Sequence, residues 1–127
     1  TPKMQDETQM NQQLLLNKSM VEGEMIYSDF CITCHLPDGK GTKGINPPLA
    51  QSDFLLNKRE ASIRAVKFGQ KGEITVNGET YNGLMTPQGL DDEEIANVMN
   101  YILNSWGNTT DKIVTIEEVK KIKKDLQ

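Results

Sequence analysis

The sequence predicts an all-α domain with one short β-hairpin and an extra C-terminal helix, folded around a covalently held prosthetic group. Three observations predict it. Both cysteines and the single histidine of the 127 residues fall within Cys31-Ile32-Thr33-Cys34-His35. Helix-start signals recur at Ser19, Asn57, Asp91 and Thr115, with apolar residues at helical spacing behind them. The strand signal is confined to Glu73–Tyr81, where polar and apolar residues alternate around Asn77-Gly78, a pair suited to a hairpin turn.

Residues 1–18 are rich in Gln, Asn and Met, show no sustained apolar period, and read as a flexible lead-in or tether. Ser19 and Glu22 form an S-x-x-E capping box, which predicts a helix over 20–31. Gly23, Tyr27 and Cys31 recur every four residues and share one face of it, with Gly23 allowing close approach of another backbone. Leu36–Gly44 carries Pro37 and three glycines and is expected to be a loop. Asn46-Pro47-Pro48-Leu49 follows it. Asn57 as N-cap with Glu60 opens a helix over 58–68 that stops at Gly69. After the hairpin, residues 82–90 form a loop that presents Met85. Asp91 and Glu94 cap a helix running to about Trp106-Gly107, with Ile95, Val98, Tyr101 and Ile102 on its apolar face. The acidic run 91–94 complements the helix dipole. The last helix has a stripe of Ile116, Val119, Ile122 and Leu126, with Lys120, Lys121, Lys123 and Lys124 outward.

The C-x-x-C-H motif is a haem attachment site. Two thiols three residues apart on one turn can each add to a vinyl group on one haem edge, and the next residue then brings its imidazole beneath the iron. The alternatives fit less well. A Cys31–Cys34 disulfide would close a very short loop and leave His35 without a role. A thioredoxin-like pair needs a βαβ setting that this sequence lacks. A zinc site needs four ligands, and no Cys or His remains.

Pro47 is the candidate for a backbone carbonyl that accepts from the far nitrogen of His35; the alternative is that these prolines only end a loop. With no second histidine, Met85 is the candidate sixth iron ligand. Met4 and Met10 lie in the tail, and Met20, Met25 and Met99 in helices. The alternative makes Met85 an ordinary apolar contact, with water or a lysine on iron. Arg64, Tyr81, Asn82 and Trp106 could each reach a haem propionate. Trp106 at a helix end reads as packing.

In this order, residues 19–107 resemble the class I cytochromes c, small monohaem proteins with an N-terminal attachment site and a methionine ligand. Gly23, Tyr27 and Cys31 match the family's first helix, and Val98 and Tyr101 match the C-terminal helix it crosses. Pro47 and Leu49 fall where the family has its histidine-orienting proline and a haem-packing leucine, and Met85 lies where the distal ligand is expected. The hairpin followed by Tyr81–Pro87 is similar to a bacterial subgroup that includes cytochrome domains of oxidases and reductases. Those members usually place proline directly after the methionine, whereas Thr86 intervenes here. The resemblance implies a class I cytochrome c fold over 19–127 and one haem c, bound by Cys31, Cys34, His35, Pro47 and Met85 with His35 and Met85 on the iron.

The expected function is one-electron transfer between redox proteins, a donor and an acceptor docking at the exposed haem edge near Ile32, Thr33 and the Met85 loop. His/Met ligation raises the reduction potential, because a thioether prefers the softer ferrous ion. No catalytic constellation competes, so neither an enzyme nor a small-molecule substrate is expected. The alternatives are a haem domain of a larger oxidoreductase, and a ligand-binding haem protein with an open sixth position. A net charge of −4 and a pI near 5.0 argue against nucleic acid. No run of roughly 18 apolar residues occurs, so nothing reads as membrane-spanning. Attachment at such a motif belongs to compartments outside the bacterial cytoplasm, so a periplasmic monomer is expected. Its leader would have been removed, and a lipid anchor ahead of the tether is a further expectation.

Overall fold

A computed structural model of the chain describes residues 2–124, with side chains from residue 7 onward. Its first helix, α1, runs Pro2–Phe30 and is much longer than the capping box at Ser19 suggests. The lead-in expected over 1–18 is helical from Pro2 onward. No Gly or Pro interrupts residues 3–22, and Gln, Leu, Met and Lys favour a helix. Proline at the first helical position costs no hydrogen bond. Residues 7–15 are exposed, so this half of α1 rests on propensity, while the half beyond it rests on packing.

Ser19 is therefore no N-cap. Its hydroxyl donates to Asn97 Oδ1 at 2.7 Å and accepts from Asn100 Nδ2 at 2.8 Å, which ties α1 to α5 (Asp92–Ile102). Gly23 permits the crossing, since a Cβ there would overlap the Asn97 carbonyl. On α5, Ile95, Ala96, Val98, Met99 and Ile102 are buried, and with Tyr27, Leu55 and Ile63 they form the core. Asp91 and Glu94 make the full capping box expected for this helix, but α5 ends at Ile102 and turns carry the chain through Trp106.

Between these helices lie α2 (Ile32–His35), α3 (Asp53–Asn57) and α4 (Arg59–Phe68). Asn57 closes α3 instead of capping α4. Ser52 starts α3 by accepting from the Leu55 amide, and Lys58 leads into α4 with no side-chain cap. Gly69 ends α4 at φ 90°, as its residue type suggests. Two small antiparallel pairs follow, β1 (Gln70–Lys71) with β4 (Leu84–Met85), and β2 (Ile74–Val76) with β3 (Glu79–Tyr81). The second pair is the expected hairpin. Asn77 and Gly78 both take positive φ, at 51° and 82°, as a type I′ turn requires.

The last helix, α6 (Ile116–Lys121), is capped by Thr115 and buries Val119, with Ile122 buried just beyond it. Ile116 of the expected stripe is exposed, and Leu126 lies outside the described residues. Three basic residues of α4 hold this C-terminal strap. Arg59 pairs with both oxygens of Glu118, Arg64 donates to the Lys123 carbonyl, and Lys67 donates to the carbonyls of Val119 and Ile122.

Candidate haem site

The Cys31–His35 segment forms one turn by backbone bonds alone. The Cys31 amide donates to Tyr27 O at 2.9 Å, and the Cys34 and His35 amides both donate to Cys31 O. That turn brings both thiols and the imidazole to a single cavity. Both cysteines are free thiols, Cys31 half-buried and Cys34 exposed. Burial, aided by the neighbouring Cys34, pushes the Cys31 thiol up to about 11, so it carries its proton.

His35 Nδ1 lies 3.0 Å from Pro47 O. A carbonyl can only accept, so Nδ1 carries the hydrogen and Nε2 keeps its lone pair. Burial lowers the affinity of the ring for a second proton, partly offset by the Pro47 bond. A neutral imidazole with a free Nε2 is the form that binds iron. The loop that carries Pro47 is laced to the histidine. Gly41 N donates to His35 O, Thr42 N to Asn46 O, and Leu49 N and Ala50 N to Gly39 O. Gly41, at φ 62°, has to be glycine because a Cβ would overlap Asn46 O and lie 2.7 Å from Pro47 O.

Met85 comes from another part of the chain. It sits not in an irregular loop but in β4, opposite Gln70 of β1. Gly69 makes the approach possible, since a Cβ there would stand 2.8 Å from Met85 O and 2.9 Å from Pro87 Cδ. Met85 is half-buried while its neighbour Leu84 is 71% exposed, so the strand alternation points the methionine inward.

Cys31, Cys34, His35, Pro47 and Met85 all line one cavity of about 250 Å³. Its walls are completed by apolar side chains, among them Leu49, Leu55, Val66, Val98 and Ile102. Among the described residues no group of three or more His, Cys, Asp or Glu could hold a bare metal ion. Two thiols, one imidazole nitrogen and one thioether around an apolar space suit a macrocycle that brings its own four equatorial nitrogens. The residues present fit haem.

The candidate propionate partners divide. Tyr81 is buried and lines the cavity. Arg64 is engaged by Glu60 and the Lys123 carbonyl, Asn82 is exposed, and the Trp106 indole donates to Pro37 O at 2.9 Å; none of these three lines the cavity. Gln70 and Gly69 had no signal as site residues in the sequence, because their roles depend on a pairing with Met85 that only the tertiary fold creates.

A helical shell closing on a C-x-x-C-H turn, with a methionine brought in from a separate segment, defines a small monohaem protein of the c type. Comparison with known proteins supports this. Residues 20–106 match the model of the cytochrome c family. The chain is similar to two cytochromes c-552 of Thermus thermophilus. One is 39% identical over 114 residues, covering 83% of this chain and 76% of that protein. The other is 40% identical over 111 residues, covering 80% and 84%. The cytochrome c subunit of a quinone alcohol dehydrogenase from Gluconobacter oxydans is 28% identical over 105 residues, which cover 80% of this chain but 22% of that longer subunit. The chain belongs to the cytochrome c family, as a class I monohaem member with covalently bound haem c. It is an electron carrier, with redox proteins as partners, and not an enzyme.

Proposed function

We propose that Cys31 and Cys34 would hold the haem by thioethers and that His35 Nε2 and Met85 Sδ would ligate its iron. When bound, the haem supplies a one-electron Fe(III)/Fe(II) couple. The observation that carries the assignment is the His35–Pro47 bond in the cavity that Met85 and both thiols also line. Pro47 fixes the ring tautomer and keeps Nε2 directed at the ligand position. Met85 Sδ would be the second ligand this chain offers the iron, leaving no open place for an exogenous ligand. Low dielectric around the cavity disfavours the extra positive charge of the ferric state, so both the ligand set and the burial raise the potential.

Thr33 and Cys34 are exposed and Ile32 is half-buried, which supports a haem edge open to the surface there. Donor and acceptor proteins of a respiratory chain or a dehydrogenase exchange electrons there, in the periplasm or another compartment outside the cytoplasm. No helix among the described residues is long and apolar enough to cross a membrane. A tether through this lead-in would act, over residues 2–18, as a helical spacer of about 1.5 Å per residue. The match to a segment of a dehydrogenase's cytochrome subunit favours a second setting, in which the same domain serves a larger oxidoreductase.

The test is the optical spectrum of the dithionite-reduced protein before and after carbon monoxide. An unchanged wild-type spectrum, with a new adduct in Met85→Ala, is expected. A wild-type adduct would remove Met85 as a closing ligand.

A further inference from the structure

We propose that Tyr27 and Trp106 are positioning residues for His35, clamping the two carbonyls that follow it and so holding a strained turn that seats the imidazole on Pro47. The proposal rests on His35 being an axial ligand, as assigned above.

Leu36, directly after the histidine, has φ 69° and ψ 160°, a conformation populated almost only by glycine. A leucine stays there only if its surroundings over-determine the turn. Two side chains do this from a distance in sequence. Tyr27 Oη donates to Leu36 O at 2.6 Å, and Trp106 Nε1 donates to Pro37 O at 2.9 Å. The donors come from α1 and from the turns after α5, and they are fixed to each other. The rings of Tyr27 and Trp106 lie 5.2 Å apart, and Tyr101 packs on both at 5.4 and 5.6 Å. Tyr27 is 1% exposed, and burial drives its hydroxyl far above the usual range, so it remains a neutral donor.

The turn transmits this hold to the ligand. Gly39 N donates to Leu36 O, and Gly39 packs so closely on the Trp106 ring that a Cβ would overlap it. Gly39 O accepts from Leu49 and Ala50, two and three residues beyond the Pro47 whose carbonyl takes the His35 hydrogen. The circuit therefore begins and ends at His35. A firm Nδ1–H to carbonyl bond makes the imidazole a stronger donor and favours the ferric ion. A slackened clamp weakens that bond and raises the reduction potential.

The experiment is a redox titration of the haem-loaded Tyr27→Phe, Trp106→Phe and Tyr101→Phe variants, with melting temperatures alongside. Tyr27→Phe removes one hydroxyl and keeps the ring, so the variant retains its packing. Tyr27→Phe and Trp106→Phe are expected to raise the ferrous-to-ferric ratio at the wild-type midpoint at least threefold, a shift of ~28 mV at 59 mV per decade. Tyr101→Phe, which shares the ring cluster but touches neither carbonyl, leaves the midpoint in place. Leu36→Gly relieves the strained residue, so it raises the melting temperature and returns the Tyr27→Phe midpoint toward wild type. Wild-type midpoints in both Tyr27→Phe and Trp106→Phe, whatever their melting temperatures, would overturn the clamp. Every variant keeps His35 and Met85, so that result would leave the ligand assignment standing.

Discussion

The two sides of the cavity are built in different ways. The His35 side is assembled from one stretch, residues 31–50, whose backbone groups bond one another over short spans. The Met85 side is assembled from two stretches that meet late, residues 69–71 and 84–87, joined by a pair of two-residue strands. A site made by contiguous residues depends first on local chemistry, here with the Tyr27 and Trp106 bonds to the turn as its outside hold. One made by a long-range pairing depends on whatever holds its two segments together. The histidine side is thus expected to set the potential, and the methionine side to set closure of the iron.

Removing the distal side outright has the largest effect. Met85→Ala deletes the only thioether among the described residues that lines the cavity. Carbon monoxide binding to the reduced protein is expected to change from undetectable to stoichiometric, and the potential to fall, because a water or hydroxide in place of the thioether favours the ferric ion. Titration with carbon monoxide and with redox mediators checks both. A Met85→Ala protein that still excludes the gas would mean that another side chain closes the iron.

Two glycines sharpen the comparison, because each removes space beside a different carbonyl. Gly41→Ala places a methyl against Asn46 O and Pro47 O at φ 62°, and Gly69→Ala places one 2.8 Å from Met85 O at φ 90°. Left-handed backbone and overpacking together cost about 3 kcal/mol at either site, or ~10 °C of melting temperature for a domain of this size. Their spectroscopic signatures should differ despite the similar cost. Gly41→Ala moves the Pro47 carbonyl and shifts the potential while the iron stays closed to carbon monoxide. Gly69→Ala moves the Met85 strand and admits the gas. Matching signatures in the two variants would mean that the cavity responds as one unit.

The same contrast explains what the sequence revealed. Cys31, Cys34, His35 and Pro47 could be grouped as candidates because they fall at fixed spacings within a short segment, and they line one cavity. Met85 could be singled out as a candidate, through the absence of another histidine and its place between turn residues, but its pairing with Gln70 could not be read. Asp91, Asn77-Gly78 and Gly69 had local signatures, and each forms the turn or cap it suggested. Ser19 and Asn57 had equally good local signatures and do something else. Ser19 bonds Asn97 and Asn100 across the helix crossing, and Asn57 ends α3 because Ser52 starts it. A cap signal states that a side chain can satisfy backbone amides, whereas tertiary partners decide whether those amides are free. The helix over residues 2–18 was missed for the opposite reason. Its polar residues lack an apolar period, yet nothing in them breaks a helix begun by the packed half of α1.

The smallest expected effect is at the strap behind α4, the helix that supplies Ala65 and Val66 to the cavity. Arg59 holds Glu118 with two bonds of 2.7 and 2.9 Å and also donates to Lys112 O. The Arg59 hydrogen bonds hold the Glu118 carboxyl below the usual carboxylate range, opposed by burial and helped by the charges of Arg59 and Lys112. A carboxylate whose folded value is depressed stabilises the fold fully above its unfolded value, about 4.3, and loses that contribution as pH falls toward the folded one. Glu118→Gln should therefore cost about 1 kcal/mol at pH 7, since the pair is bidentate but partly open to solvent. The difference from wild type should shrink as the pH drops below about 4.3. Thermal melts of the two proteins across that range test the sign. A difference that grows in acid would mean that the pair is not what fastens the strap. Because the strap touches neither carbonyl that flanks the ligands, its loss should lower stability while leaving potential and carbon monoxide exclusion unchanged, which separates support of the distal wall from control of the iron.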